Sequence, residues 1–115
     1  MSTGEVDPVA RFRSEVLRTA DRLRGLGAPR LASLGPDGVS IATTAQAIGE
    51  AIVKQTAALT GAAPPVLPRL ADHGTGDLLA VVGSELADLA EEQGAAAADA
   101  LSQISAQLVA LRRAT

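Results

Sequence analysis

The chain contains no cysteine, tryptophan or tyrosine, and only one phenylalanine, one histidine and one lysine among its 115 residues. Without cysteine there are no disulfides, thiolate nucleophiles or cysteine-ligated metal centres. Without tryptophan or tyrosine there is almost no aromatic surface on which nucleobases could stack. Long hydrophobic runs are also missing: the longest uncharged stretch, residues 55–68, holds three prolines and cannot cross a bilayer. The first eight residues carry no basic segment leading into an apolar one, so no secretory signal is read there and a cytoplasmic location is expected.

What is abundant is alanine, which accounts for 24 of the 54 residues of hydrophobic type. Leu, Ile, Val and Phe make up about a quarter of the chain, enough to fold a single domain of this length. Alanine buries little area compared with the roughly 1.5–3 kcal/mol of a fully buried Leu, Val or Ile, so the core should be thin. A thin core of small side chains favours close helix packing or burial against a second copy, and a homodimer is expected.

The hydrophobic periodicity is helical throughout. Residues 1–6 read as a flexible arm and residues 7–115 as one α-helical domain. Asp7-Pro8 supplies an N-cap and a proline at the first helical position, and Val9, Phe12, Val16, Ala20 and Leu23 form a single stripe ended by Gly25 and Gly27. Residues 30–34 can form one turn that lays Leu31 and Leu34 over the bundle end. A second helix is expected from about Pro36 or Val39 to Leu59, with Ile41, Ala45, Ile48, Ile52, Thr56 and Leu59 inward and Glu50 and Lys54 on the wet side. Residues 61–68 are a proline-rich linker. A third helix, capped by Thr75 or Asp77, turns Leu79, Val82, Leu86, Leu89 and Ala90 inward. A fourth carries Ala97, Leu101, Ile104, Leu108 and Leu111 at heptad spacing. Leu79 and Leu111 would stay in phase on one continuous helix, so a hairpin near residues 91–94 competes with one long helix. The expected architecture is an all-α bundle of about four helices, completed by dimerisation.

Charge is unevenly distributed. Six arginines face four acids over residues 1–34, whereas six acids face one arginine over residues 61–93. The first and third helices should therefore attract each other. Arg11, Arg18 and Arg22 share the wet side of the first helix and could contact phosphates, but Glu15 lies in that strip and the chain is acidic overall, which makes a nucleic-acid accessory role the weakest of three readings.

The polar joint Asp72-His73-Gly-Thr-Gly-Asp77 brings one imidazole and two carboxylates within six residues, so Asp72, His73 and Asp77 are the weak metal-site candidates. The plainer reading has Asp72 and Asp77 capping the helix and His73 in water. No nucleophile with a neighbouring base and no glycine-rich phosphate loop is present, and neither a catalytic residue nor a cofactor is assigned.

The stretch Gly76-Asp-Leu-Leu-Ala-Val-Val82, followed by Glu85-Leu-Ala-Asp-Leu89, resembles the Gly-Asp-Leu-Leu helix of MazG-type all-α nucleotide pyrophosphohydrolases. That resemblance implies an oligomeric helical bundle in which an E-x-x-E pair on one helix and an E-x-x-D pair on the next hold Mg²⁺. Asp77 matches the aspartate of the second pair, its partner position holds Gly74, and the preceding helix offers only Glu50. The leading expectation is a non-enzymatic helical interaction or oligomerisation module, with a divergent or inactive MazG-like enzyme as the alternative. The interface candidates are Ile41, Ile48, Ile52, Leu101, Ile104, Leu108 and Leu111.

Overall fold

The computed structural model describes residues 7–115, so the arm at residues 1–6 lies outside the described residues. Five helices follow in order: α1 (Pro8–Arg24), α2 (Ala28–Ala32), α3 (Ile41–Thr60), α4 (Thr75–Gln93) and α5 (Ala98–Arg113). The fold is all-α, and no helix among the described residues is long and apolar enough to cross a membrane.

Four long helices form the bundle, with α1 and α3 on one diagonal and α4 and α5 on the other. Contacts at the helix ends give their directions. Arg13 meets Asp88 and Glu91 while Arg24 meets Asp77, so α1 and α4 are antiparallel. Gly49 abuts Leu78, and Val53 and Val82 line one hollow further along, so α3 and α4 are parallel.

That parallel pair explains the linker. A 20-residue helix is about 30 Å long. The chain must travel that distance back before α4 can start, and the eleven residues of 61–71 cover about 34 Å at the 3.1 Å rise of a polyproline strand. Prolines keep this strap extended. Its far end is tied to the beginning of α3: Gln46 Nε2 donates to the Pro68 carbonyl at 3.0 Å, and Arg69 reaches the Ala42 carbonyl and Thr43 Oγ1. The near end turns on Gly61, which caps α3 with a left-handed φ of 73°. A Cβ there would meet nothing, so Gly61→Ala should cost only its backbone strain, about 1 kcal/mol in urea unfolding.

Helices α1 and α4 approach each other closely at two glycines. A Cβ built on Gly83 would stand 2.6 Å from Val16 Cγ1, and one on Gly76 would stand 2.9 Å from the Ala20 carbonyl oxygen. Two glycines seven residues apart therefore give α4 a flat side against α1.

Several expectations are met. α1 spans the expected residues with Asp7 as its N-cap, and Val9, Phe12, Val16, Ala20 and Leu23 are all buried. The heptad stripe of α5 is buried from Ala97 to Leu111. α4 and α5 are separate helices, broken by a 3₁₀ turn at Gly94–Ala97 with φ 71° at Gly94.

Others are corrected. α3 starts at Ile41 rather than at Pro36 or Val39, because Leu34 and Ser40 pair in a β-bridge around the turn and Ser40 then caps the helix. Leu31 covers the bundle end, but Leu34 is 69% exposed because that turn points it outward. Neither Thr75 nor Asp77 is the cap of α4. A 3₁₀ turn at Asp72–Gly74 leads in instead, and Thr75 is buried with its hydroxyl donated to the Asp72 carbonyl. Leu89 is half-buried rather than in the core.

Candidate functional site

The polar joint does not assemble. His73 is exposed. Asp72 accepts from Arg69 at 3.3 Å, and Asp77 accepts from Arg24 Nε at 2.8 Å, so both carboxylates are directed at arginines rather than at a shared point. Glu50 stands under the strap beside Gln46, while Asp77 is drawn towards α1. Among the described residues no three His, Asp or Glu side chains gather closely enough to hold a metal ion.

Ionic contacts concentrate on α1. Arg13 sits 2.7 Å from Asp88 and 3.2 Å from Glu91, as the uneven charge distribution suggests. The hydrogen bond to Asp88 pushes the Arg13 guanidinium above its usual range, and the bond to Asp77 does the same for Arg24. These pairs are exposed enough to set helix register more than stability. Of the arginine strip, Arg11 and Arg18 are exposed and Arg22 is engaged. Arg22 donates to the carbonyl and hydroxyl of Thr115, and Glu15 is buried at the α1–α5 contact rather than lying on the wet side. Arg112 Nη2 stands 2.9 Å from Glu15 Oε1 without hydrogen-bond geometry, while its Nη1 bonds Thr19 Oγ1 at 3.1 Å. The burial of Glu15 had no local signal, since its cause is a residue 97 positions away.

Ile41, Ile48, Ile52, Leu101, Ile104, Leu108 and Leu111 are all buried within the one chain. The residues expected at an interface are thus consumed by the protomer's own core. A different set faces outward. On α3, Thr44, Ala47, Ala51, Lys54 and Ala58 follow one another at alternating spacings of three and four; on α5, Ala100, Gln103, Gln107 and Ala110 do so at three, four and three. Each is at least partly exposed and Lys54 alone is charged. Lys54 and its exposed neighbour Glu50 also line the hollow beside the strap.

At one end of this face is a hollow of about 230 Å³ lined by Gly35, Pro36, Asp37, Ile41, Thr44, Ala110, Leu111 and Ala114, with Asp37 its one charged residue. Beside it the turn between α2 and α3 exposes Leu34 and Val39. The turn is held by Gly35 N–H to the Val39 carbonyl at 2.8 Å and by Val39 N–H to Asp37 Oδ1 at 3.0 Å. Sequence reading missed this site because it scored Leu34 as core. The available signal was the Gly35-Pro-Asp-Gly38 turn directly after it.

No protein-family model, curated protein or solved structure matches the chain. The residues themselves carry the functional reading.

Proposed function

We propose that the protein is a non-enzymatic helical association module acting through the outward face of α3 and α5, with a second copy as its first partner. The observation that carries this reading is the segregation of charge. All but one of the ion pairs among the described residues involve α1, the exception being Arg69–Asp72, whereas the exposed positions of α3 and α5 are mostly Ala, Thr, Ser and Gln, and their exposed charges, Glu50, Lys54, Asp99 and Arg113, form no ion pair among the described residues. Depletion of charge marks the centres of protein interfaces, and small residues let helices approach closely. The pyrophosphohydrolase alternative draws no support from the arginine-bound Asp72 and Asp77, and the nucleic-acid reading keeps only Arg11 and Arg18 as exposed members of its strip once Arg22 bonds Thr115, on a chain that is acidic overall.

Paired substitutions on two faces test the proposal. Ala47→Glu places charge in the proposed contact and should leave the protein monomeric by light scattering at concentrations where the parent chain associates. Leu17→Glu, on the α1–α4 side and 58% exposed, should leave association unchanged. The reverse pattern would move the interface to the charged face.

A further inference from the structure

We infer that two copies meet around a two-fold axis beside the α2–α3 turn, each inserting Leu34 into the hollow between the other copy's α3 and α5. This rests on the association proposed above and specifies its contact. A self-complementary two-fold interface needs a projection and a recess on the same surface of one chain, so that each copy supplies both. Leu34 is the projection: a large aliphatic side chain 69% exposed on a turn braced by the Leu34–Ser40 bridge, where no described residue covers it. The recess adjoins the same turn, beginning at the next residue, Gly35, and floored by Ile41 and Leu111. Its volume of about 230 Å³ suits a branched aliphatic group, since an apolar cavity of about 150 Å³ already accepts a six-carbon ring.

Asp37 lines the hollow itself, and Arg113 precedes the lining residue Ala114 in the chain. Asp37 on the turn and Arg113 in the last turn of α5 are both exposed, and neither forms an ion pair among the described residues. A two-fold arrangement offers each the opposite charge on the other copy, which orients the encounter more than it tightens it. Beyond the turn, two helices about 25–30 Å long present roughly 500–600 Å² per copy. With the turn added, this approaches the lower end of standard interfaces, about 600 Å² per partner. Val39, next along the turn, extends the apolar contact.

The test is sedimentation equilibrium on the parent chain, Leu34→Asp and Ala47→Glu, with thermal unfolding alongside. Because Leu34 is exposed, Leu34→Asp should leave the monomer's melting temperature unchanged. It should weaken dimerisation on the order of 100-fold or more, since each dimer loses two buried leucines. A cross-linking measurement tests the geometry separately. The chain has no cysteine of its own, so mixing Leu34→Cys with Ala110→Cys chains under oxidation should give a disulfide-linked heterodimer. A dimer that survives Leu34→Asp and fails to cross-link, yet is lost in Ala47→Glu, overturns the insertion while keeping the face. A parent chain that stays monomeric overturns both.

Discussion

Gly83→Ala is expected to lower the unfolding free energy by about 1–3 kcal/mol, the range for forcing extra volume into a packed contact. The direction is informative because intrinsic propensity points the other way. Alanine in a helix interior is favoured over glycine by about 1 kcal/mol, and at an open site the substitution would stabilise. Here the new Cβ would lie 2.6 and 2.8 Å from the two γ-carbons of Val16 and 3.2 Å from its Cβ. Valine has one strongly preferred rotamer in a helix, so it cannot swing aside and α4 must move off α1. Gly49→Ala is the matched control: its Cβ would meet Leu78 at 2.9 Å, but that neighbour is the flexible end of a half-buried leucine. A neutral result or a gain of up to about 1 kcal/mol is expected there. Urea unfolding of both variants checks the pair, and equal stabilisation by both would mean that α1 and α4 are not in close contact at Gly83.

The second large effect is expected at the α1–α5 contact. Arg112→Ala removes the cation beside Glu15, whose side chain is only 10% exposed, and also the donor to Thr19 Oγ1. Breaking a buried pair by deleting one partner costs about 3–5 kcal/mol when burial is complete. The Arg112 side chain is 22% exposed, so water can compensate in part and about 2–4 kcal/mol is expected. Replacing both members, Glu15→Leu with Arg112→Met, should recover most of that loss, because two apolar groups of similar volume leave no uncompensated charge. The double-mutant cycle by urea denaturation reads this as strong coupling. Additive losses would mean that Glu15 and Arg112 act independently. The same contact buries Ser105 with an unpartnered hydroxyl, so Ser105→Ala should be tolerated.

How much of this was legible in the sequence depends on whether the cause is local. The Asp7-Pro8 start of α1, the heptad stripe of α5 and the extended strap at residues 61–68 follow from capping, periodicity and proline geometry, which act within a few residues. Gly76 and Gly83 illustrate the opposite case. In the sequence Gly76 reads as part of the polar joint and Gly83 as a position within the apolar helix, and only the positions of Val16 and Ala20 on another helix show that both are contact surfaces. Ile48 and Leu108 were recognised as apolar stripe residues, but periodicity gives the apolar face of a helix without saying whether its own chain or another covers it. In the folded chain its own helices cover them, and the association proposed above is therefore assigned to the outer positions around Ala47 and Gln107 and to the projecting Leu34.

The most direct test of that account is the mass of the parent chain in solution across concentrations from about 1 μM to 1 mM, the range over which a weak two-fold contact would fill. Sedimentation equilibrium should show a reversible rise from the 11.6 kDa chain to twice that mass and no further. A mass that stays at one chain throughout, or that climbs without limit, would contradict a closed association through the α3–α5 face.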